Sequence, residues 1–232
     1  MGIGMTEAWL AVLQFADGLF PAGGFAHSLG LETYVQDGDV QDRAGLEAFV
    51  AAHLEGSAGP ADAVAVAVSV RLAAARDIAG WMALDERLEA MKVVPETREA
   101  SRQMGRQTLR VAAALGPDPV LTECARAVSE GLAPGHHAGV FGLALGRAKA
   151  APELAAAAYL HSTAALLVGA GLRLIALGQL DGQRVLAAMR PRIASLAAAA
   201  AEATPADMWS FNPGLELAGL RHATLDTRLF RS

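Results

Sequence analysis

Apolar positions along this chain recur mostly at spacings of three and four, the repeat of helices with one face turned to a core. Leu46, Phe49, Val50 and Leu54 stand at i, i+3, i+4 and i+8, a single apolar face. Leu186, Met189, Ile193 and Leu196 repeat in the same way, although Pro191 is expected to kink or split their helix. Turn signals punctuate the helical stretches at QDGDVQD (36–42), EGSAGP (55–60), LGPDP (115–119) and LAPGHHAG (132–139). Asp181 and Asn212 are expected N-caps, the second followed by Pro213 at the first helical position. One stretch keeps a different time: AVAVAVSV (63–70) alternates valine at every second position, as a strand would. It has no convincing alternating partner elsewhere and alanine favours helix, so it too is expected to be helical. The pattern predicts an all-α fold, a single domain of about ten packed helices over residues 1–232.

Composition supports that reading and narrows the chemistry. Apolar residues make up 53% of the 232 positions and aromatics only 5%, so burial falls to Ala, Leu and Val, whose small side chains let helices approach closely. The formal net charge of -5 argues against a nucleic-acid binder. Cys124 is the single cysteine, which excludes an internal disulfide and fits a reducing compartment. The N-terminal stretch MGIGMTEAWLAVLQFADG has no basic leader, and Glu7 stands where a signal peptide would be apolar, so a cytoplasmic protein is expected. The run AAAAYLHSTAALLVGAGLRLIALGQL approaches membrane-spanning length, but His161 and Arg173 interrupt it, and a buried central helix is expected instead.

Several catalytic patterns begin and then fail. Gly18 and Gly23 have the gap of a phosphate-binding loop, but Gly24 and Phe25 occupy the places of its lysine and its serine or threonine. Gly169 and Gly171 open a dinucleotide fingerprint that Leu174 breaks. The stretch Ala26-His27-Ser28-Leu29-Gly30 resembles a nucleophile elbow without its first glycine, yet nothing supplies the parallel sheet that holds such a turn. No His-Glu-x-x-His or paired Cys-x-x-Cys spacing exists; the adjacent His136 and His137 in a glycine-flanked turn are the remaining metal candidates, against capping or solvent contact.

What remains suggests gripping. Arg98, Arg102, Arg106 and Arg110 follow one another at intervals of four along one helix, beside a small-residue face of Ala100, Ser101, Met104, Gly105 and Thr108. That row is either a solvated edge, with Glu99 and Arg102 as an i, i+3 pair, or a docking stripe for an acidic protein. The last stretch, SFNPGLELAGLRHATLDTRLFRS, predicts an amphipathic helix at about 212–232 with Arg221, Thr224 and Arg228 on one face. Leu229 and Phe230 near its end need cover from the core or from a partner.

Five segments in order, FPAGGFAHSLGLE, TREASRQMGRQ, HHAGVFGLALG, LIALGQLDGQ and SFNPGLELAGLRHATLDTRLFRS, resemble the UreF family of urease accessory proteins over nearly the whole chain. Ala16 and Gly18 flank Asp17 where the family pattern is richer in serine. The resemblance implies an all-α fold, a tendency to form homodimers and a non-catalytic role in urease maturation. It implies a complex with the scaffold UreD (also called UreH), the GTPase UreG and the urease apoprotein, with nickel as cargo and GTP bound by UreG. No cofactor is expected on this chain itself. A metallochaperone holding nickel through His136 and His137 is the alternative. In the first motif, Pro21 stiffens the approach and Gly23 and Gly24 allow turns, so that Phe25, His27, Ser28 and Glu32 are expected to be offered together to the GTPase. In the last, the resemblance suggests docking to UreD/UreH through Arg221, His222 and Arg228.

Overall fold

The computed structural model describes residues 3–232; Met1 and Gly2, the first positions of the N-terminal stretch weighed above as a leader, lie outside them. Eleven α-helices and no strand are found among the described residues. They are α1 (Ile3–Ala16), α2 (Leu31–Gln36), α3 (Arg43–His53), α4 (Val64–Ala75), α5 (Ile78–Met91) and α6 (Pro95–Leu115), then α7 (Pro119–Ser129), α8 (His137–Arg147), α9 (Pro152–Leu174), α10 (Gln179–Glu202) and α11 (Pro213–His222). The valine alternation at 64–70 is helical, and it is buried on every side from Val64 to Val70. A helix surrounded by others needs no polar face, which is why its pattern loses the 3.6-residue repeat.

The centre of the molecule is α8, buried at each position from His137 to Gly146. It packs against α4, α6 and α9. Glycines make these approaches possible: a Cβ at Gly142 would run into the Val66 carbonyl, and one at Gly146 would stand 2.8 Å from Ala73 Cβ. Asp85 of α5, fully buried, caps α8 from outside by accepting the N–H groups of Gly135 and His136 at 2.5 and 2.8 Å. A carboxylate there also complements the positive end of the helix.

Three local expectations are corrected. The turn expected at 55–60 is instead a π-helical stretch, Leu54–Ala63, that joins α3 to α4 in one run of 33 residues. In an α-helix the Gly56 carbonyl would take the N–H of residue 60, and Pro60 has none; Phe211 N–H donates to it at 2.9 Å instead. The widened turn therefore absorbs a proline and seats the segment before α11. The split expected at Pro191 does not occur, because Pro191 and Ala187, whose carbonyl loses its partner, both lie on the exposed side of α10. The N-cap of α10 is Gly178, with Asp181 one turn inside, where its charge still favours the helix start. Asn212 does precede Pro213, but its side chain donates to the Ala52 carbonyl at 2.9 Å rather than capping α11.

Two helical runs, Arg43–Ala75 and Pro152–Leu174, are long and apolar enough to cross a membrane, but 78% and 56% of their most apolar windows are buried within the bundle. His161, which interrupts the apolar run of α9, is exposed.

Candidate functional site

The loop between α1 and α2 carries the first sequence motif. Gly23 has φ +89° and Gly30 φ +91°, left-handed values that glycine adopts without strain. Gly24 lies so close to α9 and α6 that a Cβ would stand 2.7 Å from Leu166 Cδ1 and 3.1 Å from Met104 Cε. Phe25 is thereby pushed outward and is 77% exposed. Its ring does not hang free: the Arg173 guanidinium lies 3.8 Å above it and 4.3 Å from the Phe230 ring, while Arg173 Nη1 donates to the Phe25 carbonyl at 2.9 Å. Behind the loop is a groove of about 380 Å³ whose walls include Phe15, Leu19, Phe20, Met104, Leu166 and Arg173.

The last motif folds back onto this loop. The helix expected at about 212–232 stops at His222, and residues 223–232 follow as turns and extended chain. Arg231 N–H donates to the Ala26 carbonyl, and the Ser28 and Leu29 N–H groups donate to Ser232 O at 2.5 and 3.0 Å. Ser28 Oγ donates to the same oxygen at 3.0 Å, and His27 Nδ1 meets Ser232 Oγ at 2.8 Å. Glu32 accepts the N–H groups of Leu229 and Phe230 at 2.6 and 3.0 Å and faces His222 Nε2 at 3.1 Å. These bonds decide exposure. His27, Ser28, Glu32 and His222, expected at the surface, are buried, since the returning segment supplies partners for polar atoms that would otherwise need water. Burial, with Arg231 beside it, lowers the proton affinity of His27. Phe25, Pro21 and Gly23 remain exposed, as do Arg221, paired with Asp37 at 2.7 Å, and Arg228, paired with Glu96 at 2.9 Å.

The arginine row of α6 is divided in its duties. Arg98 and Arg102 converge on Glu89 of α5, Arg98 at 3.6 Å and Arg102 through two nitrogens, and Arg102 also pairs with Glu99 at 3.5 Å. Burial pushes the Glu89 carboxyl up, but hydrogen bonds from Arg102 and His136 outweigh it and hold Glu89 below the usual carboxylate range. Arg106, 46% exposed at its side chain, pairs with Glu99 alone. The small-residue face beside the row, with Ala100, Gly105 and Thr108 buried, meets α8.

His136 and His137 do not converge. His136 is fully buried, with Nε2 2.9 Å from Glu89 and Nδ1 3.1 Å from Ser101 Oγ, so both ring nitrogens are engaged within the protein. His137 stacks edge-on with Phe141, 5.8 Å between ring centres, and tilts against Tyr159. Burial lowers the pKa of each to about 4. Among the described residues no three His, Cys, Asp or Glu side chains are grouped to hold a metal ion. Sequence reasoning missed the roles of Asp85, Glu89, Glu96 and Arg173, because each holds a group that folding brings from another element: the start of α8, the Arg102 guanidinium, His222 and the Phe25 carbonyl.

The family model for UreF matches residues 40–190. The chain is 31% identical over 223 residues to the urease accessory protein UreF of Bacillus sp. (strain TB-90), covering 96% of this chain and 98% of that one. It is 37% identical to the UreF of Rhodopseudomonas palustris (strain BisA53), covering 98% and 94%. It is 36% identical to that of Bradyrhizobium sp. (strain BTAi1 / ATCC BAA-1182), covering 98% and 95%. These three alignments span nearly the whole chain, whereas the family model stops short of both the loop before α2 and the segment after α10.

Proposed function

This chain belongs to the UreF family of urease accessory proteins, and from that premise we propose that it is a non-catalytic assembly factor bridging the UreD/UreH scaffold and the GTPase UreG during nickel insertion into apo-urease. The observation that carries the reading is kinship over nearly the full length, which includes both motif segments. The joining of those segments into one surface supports it. Phe25, held outward by Arg173, and the half-exposed Arg106 are the side chains offered toward UreG. Arg221 and Arg228, with the exposed Leu217, Leu220 and Leu229, are those offered toward UreD/UreH. His27, Ser28, Glu32 and His222 serve both surfaces from beneath, by fixing the backbone that presents them. Arg98 and Arg102 serve through Glu89, which ties α5 to α6.

The protein acts in the cytoplasm as a homodimer. Nickel is the cargo of the complex, and GTP is bound by UreG. The test is reconstitution: urease apoprotein, UreD/UreH, UreG, nickel, bicarbonate and GTP are combined with and without this chain. Activation that depends on the chain is the expected result, and equal activation in both mixtures overturns the reading. Phe25→Ala should weaken UreG capture by the assembled complex while leaving UreD/UreH bound, and Arg228→Ala should do the reverse. Unchanged capture in both variants removes the surface assignment.

A further inference from the structure

We propose that the π-helical stretch Leu54–Ala63 builds an internal water site, a polar chamber in which bound water gives the His53 and His137 rings the hydrogen-bond partners that the protein withholds. The widened turn is what makes the chamber polar. His53 and Asp62 stand nine positions apart, and at about 100° per residue an α-helix would put them on opposite faces. A π-turn closes on the fifth residue, so Ser57 and Asp62 fall on one face, with His53 a turn before them. All three face the chamber, which encloses about 70 Å³. Its other polar walls come from Lys92 just past α5, Thr97 and Ser101 of α6, His137 of α8, and Tyr159 and Ser162 of α9.

The carboxylate in this chamber is already satisfied. Asp62 Oδ1 meets Lys92 Nζ at 2.8 Å, and Oδ2 accepts the Tyr159 hydroxyl at 3.3 Å. The two rings are not. Only 9% of His53 and 8% of His137 is exposed, and among the described residues neither ring has a hydrogen-bond partner; burial and the charges of Asp62 and Lys92 are what act on each. An imidazole presents two polar nitrogens whichever protonation state it holds, and buried polar groups are seldom left unpaired. His136, one position before His137, shows the alternative: both of its nitrogens are engaged within the protein, by Glu89 and Ser101.

Water fits the chamber better than an ion does. Asp62 and Lys92 cancel each other's charge, and among the described residues no three His, Cys, Asp or Glu side chains are grouped to hold a metal. The volume admits about two waters, at roughly 30 Å³ each. Lys92 uses one of its three protons on Asp62, and its others, with the Thr97 and Ser162 hydroxyls, complete the two to four partners that a buried water needs. The site belongs to the chain alone and stands apart from the partner surfaces assigned above.

The test is a crystal structure of the full chain at a resolution that shows ordered water, a second crystal soaked in nickel(II) chloride, and the ¹⁵N-histidine-labelled chain in solution at neutral pH. Water density within about 3.2 Å of a nitrogen of each ring, unchanged by nickel, is expected, with long-lived water cross-relaxation at the ring hydrogens of both residues. His53→Phe keeps a ring of similar size without nitrogens, and it is expected to lose the water beside position 53 and retain the one beside His137. Rings bonded directly to protein groups, or a chamber without ordered water, overturn the proposal. So do His53 and Asp62 on opposite helix faces, nickel at the two rings, or the same water at position 53 in His53→Phe. Should that variant fail to fold, the wild-type density and cross-relaxation decide alone.

Discussion

At the scale of one residue, two helical glycines make opposite demands. Gly105 on α6 faces the loop that enters α8, and a Cβ there would collide with the Gly135 carbonyl and stand 2.7 Å from the carbonyl carbon of His136. Both are backbone atoms held by Asp85, so they have little freedom to retreat. Gly105→Ala should destabilise the protein by about 1–3 kcal/mol, the overpacking cost outweighing alanine's gain in helix propensity. Gly169 on α9 has nothing within 4 Å of a Cβ and an ordinary helical backbone, so Gly169→Ala should stabilise by about 0.4–1 kcal/mol. Urea midpoints of the two variants check the pair, and a shift in the same direction for both contradicts the role given to packing. The small-residue face of α6 is legible in the sequence as a place of close approach. The identity of what approaches it is not, because the loop at 135–136 lies some 30 positions further along the chain.

At the scale of elements, the segment after α11 is the clearest case of structure decided far from its own residues. Removing residues 223–232 leaves Glu32 buried without its two N–H donors and strips Ser28 and Leu29 of their common acceptor. A buried carboxylate that loses both of its backbone donors costs about 1–3 kcal/mol or more, so the loop should open rather than keep it. The expected outcome is faster proteolysis around Phe25 with almost no change in helical circular dichroism, since the removed residues contain no helix. Unaltered proteolysis would mean that the loop holds itself. The helices themselves were readable: Leu46, Phe49, Val50 and Leu54 all turn inward as their spacing requires. The expectations that failed involve partners distant in sequence. EGSAGP carries turn residues, yet Phe211 completes a helix through it. RHATLDTRLFRS continues a helical repeat of leucine and arginine, yet Glu32, some 200 positions earlier, draws its amides away. A local pattern cannot record an acceptor that folding brings from the other end of the chain. The same limit explains why His27, Ser28, Glu32 and His222 were legible as special residues but not as buried ones.

At the scale of the whole molecule, the interior sets the response to acid. His53 of α3 and His137 of α8 both face the enclosed region around Asp62 and Lys92, which pair at 2.8 Å, with the Tyr159 hydroxyl donating to Asp62 at 3.3 Å. Protonating either ring would place a second cation beside one carboxylate that Lys92 already neutralises. Burial lowers the pKa of His53, His136 and His137 from 6.5 to about 4 each. Unfolding restores the ordinary value, so between about 6.5 and 4 the unfolded chain binds more protons, and stability falls as pH falls. Asp85 works against this: burial raises its pKa from 3.8 to about 6, so acidification stabilises its folded form in an overlapping window. These three rings, with His27 acting in the same direction, oppose one carboxyl; each tenfold change in proton affinity is worth about 1.4 kcal/mol, so the net loss from the three rings and Asp85 on going from pH 7.5 to pH 4.5 is on the order of 5–6 kcal/mol. Against a total stability of about 5–15 kcal/mol, that is enough to bring unfolding within reach of mild acid. The urea midpoint should drop markedly over this range, and Asp85→Asn should make the drop steeper by removing the opposing titration. A midpoint that holds steady to pH 4.5 would mean that the buried imidazoles take up protons without cost.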